Sequence, residues 1–196
     1  MKRIALTGGI ACGKSSLADF LAACGCEVWD ADEAVHALEA PGGEAVAPIL
    51  AAFGQDVRTT DGGIHRARLG QTVFADEVAR RRLNGIVHPL VRREFERWLA
   101  LPGNCPKVAV IPLLFEVGWE KGWDSIVCVA CAGQEQLRRL QARGLSAVEA
   151  HARLSAQLPL SEKVRLADRV VWNDGDLPAL QREALQLRDE WTEKQT

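Results

Sequence analysis

Apolar residues along this chain fall into two spacings. Short, mainly apolar segments at residues 2–7, 27–29, 107–111, 125–130 and 169–172 read as buried strands. Between them, apolar positions recur with helical spacing. Leu17, Phe20, Leu21 and Cys24 mark a helix over residues 14–24, with Gly25 placed to end it. Strand, helix and second strand then make a βαβ unit, with the strand at 27–29 expected to pair in parallel with the first. Val46, Ile49, Leu50 and Phe53 form a further stripe, ended by Gly54, and residues 56–63 are polar and turn-rich. Residues 77–87 and 90–101 read as two helices separated near His88-Pro89, because proline disfavours helical geometry at the residue before it. A further helix is expected over 134–143. The next runs to about residue 157 behind a Ser146/Glu149 capping box, and the last covers 177–191. Short apolar strands alternating with helices predict an α/β fold with a parallel sheet covered on both faces. No repeat, low-complexity tract or linker interrupts the pattern.

Composition narrows the class. Apolar residues make up 47% of the 196, enough for one α/β domain with an insertion. The net charge of -2 leaves no electrostatic footprint for nucleic acid. The longest strongly apolar run, residues 108–115, is too short to span a bilayer, and no apolar stretch follows Met1-Lys2-Arg3 as a signal peptide requires. A cytoplasmic protein is expected, with no membrane partner. Of the six cysteines, Cys128 and Cys131 have redox-motif spacing, but Cys128 lies in a strand rather than at a helix N-terminus. Cys24-x-Cys26 has the wrong spacing to complete a zinc site. The cysteines therefore read as reduced and mostly buried. Helix surfaces leave the oligomeric state open between a monomer and a weak homo-oligomer.

The chemistry concentrates at Gly8-Gly9-Ile10-Ala11-Cys12-Gly13-Lys14-Ser15, which matches G-x-x-x-x-G-K-[ST] at every fixed position. The motif follows a strand and opens a helix, the context it needs. Its backbone N–H groups can cradle phosphate oxygens, Lys14 supplies charge to the β- and γ-phosphates, and the Ser15 hydroxyl suits Mg²⁺. No Asn-Lys-x-Asp guanine reader is present, and the apolar run at 108–115 ends in Glu116 rather than a metal-binding aspartate. These features favour a small-molecule kinase using ATP with Mg²⁺. Asp30 and Asp32 follow the second strand, where ligands bind in such sheets, and on an extended segment both face one side. One is expected to cap the following helix and the other to act as base. Arg139 and Arg143 share a helix face, Arg138 reads as solvated, and Arg143 beside Gly144 suits a mobile arginine over the γ-phosphate.

With these residues assembled, the sequence resembles the dephospho-CoA kinase family over nearly its whole length. The resemblance rests on Leu6 to Ile10 leading into Gly13-Lys14-Ser15, on Asp30-Ala31-Asp32, Phe53-Gly54, Arg66 and Val73-Phe74, and on Val87-His88-Pro89-Leu90-Val91 and Pro112-Leu113-Leu114-Phe115-Glu116. Gln136-Leu137, Arg139-Leu140, Arg143, Gln157, Ala167-Asp168 and Asn173 extend it. The resemblance implies transfer of the ATP γ-phosphate to the ribose 3′-hydroxyl of dephospho-CoA, with ATP and dephospho-CoA as partners. It implies a three-layer P-loop kinase fold: a core at 1–33, 102–133 and 161–196, a helical substrate-binding insertion at 34–101, and a lid at 134–160. Catalytic roles fall to Asp32 as base, to Lys14 and to Arg143. ATP contacts fall to Gly8, Gly9, Ala11, Cys12, Gly13, Lys14, Ser15, Ser16, Arg143 and Asn173. Acceptor contacts fall to Thr7, Asp32, Arg66, His88, Leu114 and Glu116. Ala11-Cys12 departs from the more usual Gly-Ser, and Trp29 replaces an aliphatic residue. A nucleoside or nucleotide kinase of the same class, and a nucleotide-dependent binder without transfer, are the alternatives.

Overall fold

The computed structural model describes residues 1–193, apart from the side chain of Ala75. Residues 194–196, the end of the expected core segment 161–196, lie outside the described residues. In chain order the elements are β1 (Arg3–Gly8), α1 (Lys14–Ala23), β2 (Glu27–Asp30), α2 (Ala31–Glu39), α3 (Val46–Phe53), a 3₁₀ turn (Gln55–Val57), α4 (Arg66–Ala75) and α5 (Glu77–Ala100). They continue with β3 (Lys107–Val110), β4 (Ser125–Ala130), α6 (Gly133–Ala142), α7 (Ala147–Ser155), α8 (Leu160–Leu166), β5 (Arg169–Trp172) and α9 (Leu177–Thr192). The chain divides into two compact units, one made of the residues up to Trp29 and from Pro102 onward, the other of Asp30–Leu101.

The first unit is built on a five-stranded sheet of order β2-β3-β1-β4-β5. β1 pairs in parallel with β3 and β4, and β4 with β5, so Ile4 stands beside Val108 and Val127 beside Arg169. The expected pairing of β2 with β1 is not formed, because β3 lies between them. A crossover helix brings two strands into one sheet but does not make them neighbours, and a strand from far along the chain fills the gap. One sheet face buries Ile4, Leu6, Val108, Val110, Val127 and Val129 with Leu17 and Leu21 of α1 and Leu180, Ala184 and Leu187 of α9. Side chains alternate along a strand, so Ala5, Thr7, Ala109, Cys128 and Ala130 face the other way. All are small, and α8 packs across β1 and β4.

The second unit is helical. Its centre is α5, which runs unbroken through Pro89 where two helices were expected. Val87, Val91 and Phe95 are buried at i, i+4 and i+8, so one apolar stripe crosses the proline. Gly85 stands at the i−4 position, where a proline ring crowds the carbonyl. Lacking a Cβ, its backbone can tilt that carbonyl aside, and packing of α2, α3 and α4 on α5 holds the helix continuous. The helix α4 was not marked by periodicity: Leu69 is its buried apolar residue, and the His65 side chain caps it by accepting from the Arg68 N–H. The polar stretch at 56–63 closes as an antiparallel bridge between Arg58 and Ile64.

Candidate active site

In the first unit the Gly8–Ser15 loop leaves the C-terminal end of β1 and turns into α1. Gly13 takes φ 99° as the N-cap residue, and no side chain caps this helix end. The first helical bond is donated by the Leu17 N–H to the Gly13 carbonyl, 3.1 Å. Helix N-termini present N–H groups and a positive dipole end to whatever lies before them, which favours an anion. Ser15 is exposed in the first turn and Ser16 follows half-buried. The Lys14 ammonium donates to the carbonyls of Gly8 (3.2 Å) and Gly9 (2.8 Å).

Ala11 adopts φ 59°, the single positive φ at a non-glycine residue among the described residues. Ala11 stands where the family more often has glycine, and its backbone is left-handed, a conformation that carries steric strain in residues with a Cβ. Ala11→Gly is expected to raise unfolding stability by about 0.5–1 kcal/mol, the strain relief exceeding the entropy glycine adds to the unfolded chain. Denaturant titration checks this, and a loss of stability would contradict the left-handed assignment.

Cys12 is fully buried, and the Cys131 thiol donates to its sulfur at 3.5 Å. Burial pushes the Cys12 thiol up and raises Cys131 to about 12. Both therefore stay protonated at neutral pH, and neither is an activated thiolate. Asn173, at the end of β5, is buried and donates its Nδ2 to the Cys12 carbonyl at 2.8 Å. Arg139 was expected to share a helix face with Arg143. Its guanidinium binds backbone, donating to the carbonyls of Ala11 (3.2 Å) and Asn173 (2.8 Å). Arg143 is the exposed C-cap of α6, followed by Gly144 at φ 87°.

The segment after β3 is held from within. The Thr7 hydroxyl is buried and donates to the Pro112 carbonyl at 3.3 Å, and Leu114 is fully buried. Glu116 forms a 2.7 Å ion pair with Lys163, whose ammonium also donates to the Pro112 carbonyl at 2.9 Å. The Leu158 N–H donates to the same Glu116 carboxylate at 3.0 Å. Lys163 is fully buried on α8, a residue and a helix that hydropathy spacing did not mark. Lys163→Met is expected to cost about 3 kcal/mol of stability, the low end for removing one partner of a buried pair because Glu116 keeps some solvent contact. Thermal and denaturant unfolding of the variant check this; a change under about 1 kcal/mol would reduce the pair to an ordinary surface contact.

In the second unit, Asp30 is the N-cap of α2, accepting from the N–H groups of Asp32 (2.7 Å) and Glu33 (3.2 Å). Asp32 is exposed in the first turn of that helix. The two aspartates therefore do not share a face of an extended segment: the first ends the strand as a cap, and the second already follows helical geometry. Arg66, at the start of α4, pairs with Glu39 at 3.0 Å, and the Glu39 side chain is only 7% exposed. Burial pushes the Glu39 carboxyl up, with Arg66 opposing that shift. His88 is half-buried within α5. Burial first, and then the Arg92 charge, lower its pKa, so it is neutral at pH 7. Among the described residues, no group of three or more His, Cys, Asp and Glu is arranged to hold a metal ion.

A glycine-rich loop joining a central parallel strand to a helix, on a sheet of this order, defines a P-loop kinase fold. Shikimate kinase from Acinetobacter baumannii shares that fold, with a TM-score of 0.58 over 97% of this chain and 93% of its own at 15% identity. A crystal structure from Thermus thermophilus is closer, with a TM-score of 0.85, 34% identity and 98% of each chain covered. Dephospho-CoA kinase from Campylobacter jejuni gives a TM-score of 0.69 at 25% identity, covering 97% of this chain and 96% of that one. A family model described as Dephospho-CoA kinase matches residues 2–179. Dephospho-CoA kinase from Anaeromyxobacter dehalogenans is 47% identical over 95% of this chain and 90% of its own. That from Geobacillus kaustophilus is 43% identical over 96% of both. The chain belongs to the dephospho-CoA kinase family, and it is an ATP-dependent kinase.

Proposed function

We propose that this chain transfers the γ-phosphate of ATP to the ribose 3′-hydroxyl of dephospho-CoA, giving CoA and ADP, the last step of coenzyme A biosynthesis. The observation that carries this reading is the family match over residues 2–179, which supplies the acceptor. The loop geometry supports the donor end.

ATP phosphates lie against the loop formed by Gly8, Gly9, Ala11, Cys12 and Gly13 and against the helix start at Lys14, Ser15 and Ser16. Lys14 follows the charge that develops between the β- and γ-phosphates. Ser15 would hold Mg²⁺ through its hydroxyl, and the ion would supply charge neutralisation during transfer. Its exposed position in the first turn of α1 fits that role, because Mg²⁺ takes few protein oxygens and completes its shell with phosphate and water. Asp32 accepts the proton of the 3′-hydroxyl as the ribose oxygen bonds to phosphorus and the bond to the β-phosphate oxygen breaks, releasing ADP. Arg143 stabilises the transferring phosphoryl group from a lid at 134–160, and Asn173 supports the nucleotide end. Arg66 and His88, in the helical insertion at 34–101, contact the acceptor. Thr7 and Leu114 shape its binding surface from buried positions, and Glu116 does so from its ion pair with Lys163. Among the described residues no helix is long and apolar enough to cross a membrane. A cytoplasmic enzyme, monomeric or weakly self-associating, fits this reading.

A coupled ADP-release assay tests it. Turnover is expected with dephospho-CoA and not with nucleosides or nucleoside monophosphates. Turnover confined to the nucleotides would replace this reading with a nucleotide kinase. Tight ATP binding with no phosphorylated product from any acceptor would replace it with a regulatory binder.

A further inference from the structure

Five consecutive carbonyl oxygens of the loop each accept a hydrogen bond from a side chain. Lys14 holds those of Gly8 and Gly9. Gln136 Nε2 holds that of Ile10 at 2.9 Å, Arg139 Nη1 that of Ala11 at 3.2 Å, and Asn173 Nδ2 that of Cys12 at 2.8 Å. The three outer donors come from α6 and from the end of β5. They are themselves fixed: Glu135 accepts from Arg139 Nε at 2.7 Å, and the Asn173 carbonyl accepts from Arg139 Nη2 at 2.8 Å. Gln136 and Asn173 are 6% and 7% exposed.

In a trans peptide the C=O of one residue and the N–H of the next point in opposite directions, and the chain contains no cis bond among the described residues. Holding the carbonyls of Gly9, Ile10 and Cys12 on the side of their donors therefore turns the N–H groups of Ile10, Ala11 and Gly13 away from them. A flipped peptide would put a carbonyl oxygen where an anion is to bind. The glycines leave room for these same donors. A Cβ at Gly9 would lie 2.6 Å from Gln136 Nε2, and one at Gly13 would overlap Asn173 Nδ2. The donors approach the loop so closely that a side chain at either position would have to displace them.

We propose that Gln136, Arg139 and Asn173 are positioning residues that hold the loop's carbonyls outward and so preset its N–H groups for the phosphates of ATP. Arg139 acts through the backbone rather than on phosphate, and it also restrains Ala11 in its left-handed conformation. The inference rests on the reading that this loop receives the ATP phosphates.

The test is calorimetric ATP binding, with KM for ATP and for dephospho-CoA, on Arg139→Met, Arg139→Lys and Gln136→Glu, and on Arg138→Met as control. Among the described residues Arg138 bonds only Glu135, one turn away in α6. Gln136→Glu keeps the shape but sets an oxygen against the Ile10 carbonyl. Arg139→Met and Gln136→Glu are expected to weaken ATP binding about tenfold or more, the effect of leaving at least one loop carbonyl unpaired. KM for dephospho-CoA should stay within about twofold, since those carbonyl bonds serve the ATP end. Arg139→Lys should recover part of the affinity, and Arg138→Met should match wild type. Unchanged ATP affinity in folded Arg139→Met and Gln136→Glu would overturn the proposal. An equal loss for ATP and dephospho-CoA, which marks a general structural defect, would overturn it too. If Arg139→Met does not fold, Arg139→Lys and Gln136→Glu decide. Because calorimetry needs no acceptor, a wild-type protein that binds ATP without using dephospho-CoA would end the proposed activity and leave this comparison standing.

Discussion

Lys14→Ala is expected to lower kcat at saturating ATP by about 10²–10³, the scale for losing one preorganised charge at a transition state. The ammonium already sits on the Gly8 and Gly9 carbonyls, so it is held at the loop before any nucleotide arrives. The effect belongs in kcat because the charge it meets grows as the phosphoryl group leaves. KM for ATP should rise as well, since two bonds that shape the loop are lost together with the charge. Steady-state kinetics on the variant read both. A maximal rate equal to wild type would remove Lys14 from the chemistry and leave it a purely architectural residue.

Asp32→Asn is expected to lower kcat by about 10²–10⁴, the range for losing a general base, while ATP affinity stays near wild type. The substitution keeps the side chain's shape. The cap of α2 is made by Asp30, which accepts from the Asp32 and Glu33 N–H groups, so the helix start survives. That separation of duties makes the experiment clean, because a folding defect is not expected to imitate a catalytic one. Calorimetric ATP binding alongside kcat checks it, and a rate close to wild type would pass the proton to another acceptor.

Much of this was legible in the sequence, for physical reasons. The strands β1, β3 and β4 announce themselves because they are buried on both faces and are dominated by apolar residues; β5, at the sheet edge and partly exposed, is legible only from its short apolar stretch Val170-Val171-Trp172. The loop is legible because its glycines, lysine and serine stand at fixed spacing between a strand and a helix. The Ser146 capping box is formed as expected, with its side chain accepting from the Glu149 N–H.

The misreadings have causes as definite. Pro89 was given the local rule for proline, whereas the Val87, Val91 and Phe95 stripe and Gly85 carry α5 through it. The place of β3 between β1 and β2 is a non-local pairing, which periodicity does not report. Lys163 anchors α8 as a buried charge, the opposite of what a hydropathy pattern marks as core. Arg139 was placed only on the helix face of Arg143, because spacing along a helix does not report where a guanidinium goes; the fold shows that it binds the Ala11 and Asn173 carbonyls. One of Asp30 and Asp32 was expected to cap the following helix, and Asp30 does so, but the shared extended face invoked for the pair does not exist.

The loop also explains why a substitution that looks neutral by composition is not neutral in conformation. Ala11 occupies a left-handed position held by the Arg139 bond to its carbonyl, and Cys12 beside it is enclosed against Cys131. The loop is thus fixed by contacts from α6 and β5 as much as by its own glycines.

The measurement that bears most directly on the central claim is phosphorus NMR of the product formed from ATP and dephospho-CoA by the wild-type enzyme. The account predicts ADP and a single new phosphomonoester on the ribose 3′-oxygen. A phosphate on any other oxygen, or ADP accompanied only by inorganic phosphate, would contradict it.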